Sequence, residues 1–321
     1  MHQKTNRFKA GGWHGKPYNF FGDHLLTRFG TRVLKLPLDA RLGCPNRDGT
    51  LDDSGCIFCS DDGSASPAVR GAIDIREQME TAAANFKRAD ERTRFIAYFQ
   101  AFTNTYAPVD RLKALYDTAV SGRDIVGLMV GTRPDCLGDD VIGLIDSYAR
   151  DDFELWVEIG MQSMHDRSLA FLNRHHSHKD TRDAVLRASG RNIDLCLHVI
   201  LGIPGKSWED MMATAVEVSS LPVRGVKLHH LHVIEGTPLE SIYRAGGVRP
   251  LEFGEYVSTV CDFIERLRPD IMIHRLLGDR EETSLVAPRW GLHKGTVLKA
   301  IENEFAKRGS FQGLLYEARK Y

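Results

Sequence analysis

Short apolar runs alternate with segments of helical period along most of the chain. RVLKLPL (32–38), RFIAYFQAF (94–102), DIVGLMVGT (124–132), FELWVEIGMQS (153–163), DLCLHVILGIPG (194–205) and GVKLHHLHVI (225–234) read as six strands. Between them, 76–90, 109–122, 139–150, 179–190 and 207–220 carry the three-to-four spacing of amphipathic helices. Gly122 and Gly190 stand at helix ends, and Ser207 with Asp210 makes a capping-box start. Strict alternation of apolar strands with helices predicts a parallel sheet covered by helices. Six units are too few for a closed eight-unit barrel, so the expected fold is α/β, a partial (β/α)6 barrel over 32–240. Residues 1–31 form an N-terminal extension packed on it. Residues 241–321 form a C-terminal helical and strand extension that closes it, with helices at 252–268 and 294–308 and a strand at 271–276.

Composition narrows the class. The 321 residues are 42% hydrophobic and carry a net charge of −1, which gives ample core and no global basic footprint. No apolar run reaches the roughly 18–20 residues of a membrane span, and the N-terminus lacks the apolar stretch of a signal peptide. A cytoplasmic protein without membrane contact is expected. In a reducing compartment six cysteines are not a disulfide framework. Cys136, Cys196 and Cys261 are scattered singly and read as packing residues.

Cys44, Cys56 and Cys59 differ. They form a C-x11-C-x2-C group directly after the first strand, at the mouth where parallel barrels place their active sites. Three thiolates without a fourth can hold three irons of a 4Fe–4S cluster and leave one iron open for a ligand. The competing reading is a zinc-stabilised binding module, but zinc prefers four protein ligands and no familiar fourth stands near.

With these motifs in hand, the chain resembles radical S-adenosylmethionine (SAM) enzymes of the YhcC type, related to the elongator-subunit and oxygen-independent coproporphyrinogen oxidase branches. The resemblance spans residues 15–315 and rests on GKPYNFFGDHLLTRFG, CPNRDGT, GCIFCS, YFQAFTNTYAP, GTRPDCL, EIGMQS, LNRHHS, ILGIPG, RWGLHKG and FQG. It implies two cofactors, a 4Fe–4S cluster on Cys44, Cys56 and Cys59, and SAM chelated to its open iron. Reductive cleavage of SAM then gives a 5′-deoxyadenosyl radical that abstracts hydrogen from a substrate. A reduced flavodoxin or ferredoxin-type protein is the implied electron donor.

The resemblance also assigns residues. Arg174 is the partner for the SAM carboxylate, because a guanidinium offers a carboxylate two parallel hydrogen bonds. Glu158 and Gln162, four apart and so on one face of a strand, reach ribose or the methionyl group. The competing role for Glu158 is an internal salt bridge. Gln100 and Phe102 stand where relatives carry a Gly-Gly-Glu segment whose backbone receives the SAM amine. Gly131 replaces a glutamate, with Thr132 or Asp135 as substitutes. Ile200 packs on adenine, Gly202 and Gly205 allow close approach, and His198 contacts ribose. In HHLHV, His230 and His232 are expected on one face, lining a polar cavity or binding metal, with His229 on the other. Tyr18, Asn19, Trp290, His293, Lys294 and Gln312 close the barrel or touch substrate.

The implied substrate is a wobble-uridine side chain of tRNA. Arg7, Lys9, Lys16, Arg319 and Lys320, with Trp13, Tyr18, Phe20 and Phe21 among them, offer the basic and aromatic mixture that suits RNA. The alternatives are a small metabolite or a peptide.

Overall fold

The computed structural model describes residues 12–61, 63, 74–87, 91–278 and 283–318. Seven strands form a single sheet: β1 (Val33–Leu38), β2 (Arg94–Phe99), β3 (Ile125–Thr132), β4 (Glu154–Gln162), β5 (Asp194–Leu201), β6 (Gly225–His230) and β8 (Met272–Arg275), in the order β1-β2-β3-β4-β5-β6-β8. Every pairing in it is parallel. All nine residues of β4 are buried, as expected for the middle of a sheet covered on both faces.

Helices make the crossovers. α1 (Phe21–Phe29) precedes β1, and α2 (Ile75–Lys87), α3 (Val109–Val120) and α4 (Asp139–Asp146) follow the first three strands. α5 (Asp166–Phe171) and α6 (His178–Ala188) follow β4, and α7 (Trp208–Ser220) follows β5. α8 (Pro238–Arg244) and α9 (Phe253–Glu265) lead to β8, and α10 (Lys294–Arg308) lies near the end. Both α6 and α7 start with a full capping box, Ser177 with Asp180 and Ser207 with Asp210, each contributing about 1 kcal/mol.

The sheet has one strand more than the six expected, because Met272–Arg275 pairs with the start of β6. The run at 225–234 also breaks in two. β6 ends at His230, and Val233–Ile234 (β7) pairs antiparallel with Leu285–Ala287 (β9). α1, α5 and α8 were not expected. They are short, and α1 follows Phe20, which supplies no side-chain cap.

The barrel's lower end is plugged by α1. Phe21 stacks on His274 at 3.9 Å between ring centres and meets Trp156 edge-on at 5.2 Å. The upper end, where the strands finish, is open.

Candidate active site

β1 delivers the chain at Leu38 into the cysteine loop, and the fold holds that loop from several sides. Arg47 donates to the carbonyls of Cys59 (2.7 Å) and Ser60 (3.0 Å). Gly55 adopts φ 77°, and a Cβ there would sit 3.0 Å from the Arg47 Nε, so glycine lets the guanidinium lie flat beneath the loop. Asn46, wholly buried, donates to the Asn173 carbonyl (2.5 Å) and to the Cys56 Sγ (3.4 Å). Asn173 in turn donates to Asp52 (2.8 Å) and to the Gly55 carbonyl (2.7 Å), while His175 meets Asp52 at 2.8 Å. Segment 173–175 thus fastens a loop more than a hundred residues earlier.

All three thiols line one cavity of about 1090 Å³ at the strand ends. Burial, and then the neighbouring Cys56 and Cys44, push the Cys59 thiol up to about 11, with Arg47 opposing. Three thiolates side by side therefore need positive charge among them. Among the described residues, only Glu158, Cys196 and His274 place three ligand atoms within 4.8 Å of one another. The loop thiols are spread more widely than the edge of about 3.8 Å that a tetrahedral zinc with ~2.3 Å bonds would draw. The donor set fits a multi-iron cluster better than one zinc ion.

Arg174 stands beside this group. Its Nη1 donates to the Cys56 Sγ (3.4 Å), Nη2 to the Gly160 carbonyl (3.0 Å) and Nε to the His176 Nε2 (3.1 Å). Burial and the guanidinium push His176 down to about 3, so the ring is neutral. It accepts at Nε2 and donates from Nδ1 to the Ser177 carbonyl. A Cβ at Gly160 would lie 2.9 Å from the Gln162 amide and 3.0 Å from Arg174, so only glycine lets both side chains converge. Gln162 and Phe102, both cavity-lining, are held at φ 61° and 57°. Such left-handed non-glycine residues cluster at functional sites. The buried Gln162 Oε1 has no hydrogen-bond partner among the described residues.

Gln100, Glu158, His198 and Ile200 line the same cavity, as does Thr132. Three of the residues assigned to SAM, Gly202, Gly205 and Asp135, do not. Gly202 (φ 81°) presents its Cβ position to Leu251, 2.8 Å away, so it serves packing of the β5 end and not the cavity wall. Asp135 is held by Arg133, at 2.8 Å from its Nη2. Arg133, nearly fully buried, also donates to the Arg174 carbonyl (2.7 Å) and so positions that arginine from behind. Neither Arg133 nor Asn46 was anticipated, although both lie inside quoted motifs.

Below the rim lies a buried ionic layer. The Glu158 Oε2 takes Lys227, the Tyr98 hydroxyl (2.6 Å) and the His198 Nε2 (2.9 Å), while Oε1 faces Lys35 (3.5 Å). Burial pushes the Glu158 carboxyl up, but Lys227 and Lys35 outweigh it and hold it well below the usual range. The internal salt bridge considered for Glu158 is therefore present, and its carboxylate is already occupied.

The histidine expectation needs correction. His229 and His232 line the cavity; His230 lies behind, stacked on Trp290 at 4.3 Å, with its Nε2 2.8 Å from that of His232. The strand ends at His230, so alternation no longer governs His232. At the N-terminus, Tyr18 and Phe21 are core residues, and Lys16 is paired with Asp23 (2.9 Å). Arg7, Lys9, Arg319 and Lys320 lie outside the described residues.

A partial parallel barrel whose rim carries three cysteines and a buried arginine defines a class, and comparison with known families agrees. The Radical SAM superfamily matches residues 43–218, and the Radical_SAM C-terminal domain matches 223–307. The chain belongs to the radical SAM superfamily, whose enzymes use a 4Fe–4S cluster and SAM. It is similar to YtqA of Bacillus subtilis (strain 168), 37% identical over 94% of each chain. It is also similar to YhcC of Escherichia coli (strain K12), 36% identical over 93% of this chain and 96% of that one. A tRNA uridine(34) acetyltransferase of Dehalococcoides mccartyi (strain CBDB1) matches more narrowly, 29% identical over 48% of this chain and 33% of its own. Among solved structures, the archaeal Methanocaldococcus infernus Elp3 with an N-terminal deletion superposes with a TM-score of 0.66, at 17% identity over 87% of this chain and 64% of that one, which supports the fold. No helix among the described residues is long and apolar enough to cross a membrane.

Proposed function

We propose that Cys44, Cys56 and Cys59 hold the 4Fe–4S cluster and that SAM lies against it in the cavity, where a substrate gives up a hydrogen atom. The observation that carries this reading is the convergence of three thiols and Arg174 on one cavity, with the Arg174 guanidinium 3.4 Å from the Cys56 Sγ. When bound, the cluster supplies the electron that breaks the sulfonium bond of SAM. The protein's part is position and dryness. Arg174, fixed by Gly160, His176 and Arg133, meets a carboxylate at the rim. Gln162 directs its unpartnered amide oxygen to the ligand, the backbone at Gln100 and Phe102 takes the amine, and Ile200 offers an apolar wall to adenine. His198, already bonded to Glu158, touches the ribose through its outward edge. The electron comes from a reduced flavodoxin or ferredoxin-type protein.

The substrate we propose is a wobble-uridine side chain of tRNA. Support comes from the partial likeness to the tRNA uridine(34) acetyltransferase and from a cavity large enough to hold more than one ligand.

Anaerobically reconstituted protein given reductant and SAM should form 5′-deoxyadenosine, and Cys56→Ala should abolish both that product and the iron–sulfur absorption. Cleavage retained in the variant removes the cluster assignment. Mass spectrometry of tRNA nucleosides from cells with and without the gene should show one uridine derivative changed. An unaltered profile refutes the tRNA substrate.

A further inference from the structure

The cavity is lined with far more positive than negative side chains. Among the described lining residues, eight are lysine or arginine and two are glutamate. Most of these cations are already satisfied. Arg174 and Arg133 are bonded as described, Lys227 and Lys35 share Glu158, and Lys16 has Asp23. Arg275 differs. It ends β8 beside Lys227 in the strand register, and it makes no hydrogen bond or ion pair with any described residue. Its Nε is buried and without a partner among the described residues.

Among the described residues, the charge in this layer does not balance. Lys227 and Lys35 share one carboxylate, Glu158, whose oxygens are taken, and Arg275 stands next to Lys227 in the strand register. The imidazoles around them are held neutral. His198 is pushed down to about 4 by burial and then by Lys227, and His229 falls well below its usual value through burial and then Arg275. Lys227 itself is lowered to about 7, by burial first and then by Lys35 and Arg275 against the pull of Glu158. Arg275 is half-buried and lines the cavity, and its enclosed Nε leaves one donor unsatisfied among the described residues. A planar fork of donors matches a carboxylate in particular.

We propose that Arg275, backed by the charges of Lys227 and Lys35, is an anion subsite that receives a carboxylate carried by the substrate. It is separate from Arg174, which stands at the cysteine loop on the segment after β4, whereas Arg275 closes the strand at the far edge of the sheet. This assignment rests on the proposed function only in naming the ligand a substrate.

The test uses cluster-reconstituted, anaerobic protein and thermal unfolding at matched ionic strength. The probes are phenylacetate, its uncharged isostere phenylacetamide, and phenyl phosphate. Phenylacetate should raise the wild-type Tm by about 2 °C at roughly fivefold over its Kd, with SAM present or absent. Phenylacetamide should not. Arg275→Gln should lose the phenylacetate response while melting no lower than wild type without ligand, since the unpaired charge is gone. Arg275→Lys, which keeps charge but not the fork, should retain a weakened response. The proposal is overturned if phenylacetate has no effect on wild type, or if the amide works as well. It is also overturned if only phenyl phosphate binds, if SAM abolishes the response, or if Arg275→Gln melts several degrees lower with the response intact. Iron–sulfur absorption and SAM cleavage by wild type report on the proposed function separately, because the carboxylate response needs neither.

Discussion

Glu158 is the residue on which the barrel interior turns. Its side chain is fully buried, yet Lys227, Tyr98, His198 and Lys35 all reach it. A buried charge survives only when it is paired, and removing one partner leaves the others uncompensated. Glu158→Gln is therefore expected to lose about 3–5 kcal/mol of stability in urea titrations at neutral pH. Adding Lys227→Met should recover a sizeable part of that loss, because the stranded ammonium goes with it. Simple additivity of the two losses would show that Glu158 and Lys227 are not coupled. The site could be read from the sequence at this scale only in part. Cys44, Cys56, Cys59 and Arg174 stand in short motifs whose residue types carry their chemistry. Arg275 stands in none, and its meaning appears only once β8 is placed beside β6. Gly202 was legible as a glycine that needs freedom but not as one that packs on Leu251.

At the scale of elements, the clasp between α1 and β4 shows how a helix that the sequence barely announces is held. His24 and Arg28 are one turn apart on α1, so they share a face. Both reach Glu154 Oε1, at 2.9 and 2.5 Å, and Trp156 donates to Oε2 at 2.6 Å. Burial pushes the Glu154 carboxyl up, but the His24 and Trp156 hydrogen bonds and the charges of His24 and Arg28 hold it at about 2. Its folded pKa lies below its unfolded one, so its contribution is full above about pH 4.5 and is lost as pH falls toward 2. Urea titrations of wild type and Glu154→Gln should differ by about 3 kcal/mol near pH 6 and converge across that acid window. A gap that stays constant with pH would show that the carboxylate charge is not what holds α1. Long, locally determined elements were legible: α10 runs over 294–308 as its periodicity requires, and β2 to β5 follow their apolar runs. α1 was not, because its N-terminus has no capping side chain and its polar face is satisfied by a strand 130 residues away. The same holds for β8, whose role as seventh strand depends on a partner at 225–227 that no local pattern names.

The whole molecule is tied together at the free edge of the sheet, where its two end segments meet. Gln312, wholly buried, accepts from the Asn19 N–H (2.9 Å) and donates to the Arg268 (2.9 Å) and Ile271 (2.8 Å) carbonyls. Its own N–H donates to Pro17 (2.8 Å), and the Asn19 carbonyl accepts from Ile273 in β8 (2.7 Å). One amide side chain thus joins the segment before α1, the turn after α9 and the strand that ends in Arg275. Gln312→Ala would leave the Asn19 N–H and the Ile271 carbonyl without partners and the Arg268 carbonyl with only the Ile271 N–H (3.1 Å), at ~1–2 kcal/mol for each orphaned group and a total of about 3 kcal/mol. Since β8 is the edge strand, the loss should fall there first. Hydrogen exchange of the Ile273 amide should quicken by about 100-fold, the factor that ~3 kcal/mol represents, if it opens by detachment of this edge. The Val199 amide, in the central strand β5, should quicken only as far as global stability falls. Gln312→Glu keeps the acceptor for Asn19 but turns an oxygen toward two carbonyls, so it should be no better than alanine at neutral pH. If Ile273 and Val199 quicken equally in Gln312→Ala, the edge has no separate opening, and Gln312 stabilises the barrel only as a unit. If neither changes, the clasp contributes nothing, and β8 with its arginine is held by β6 alone.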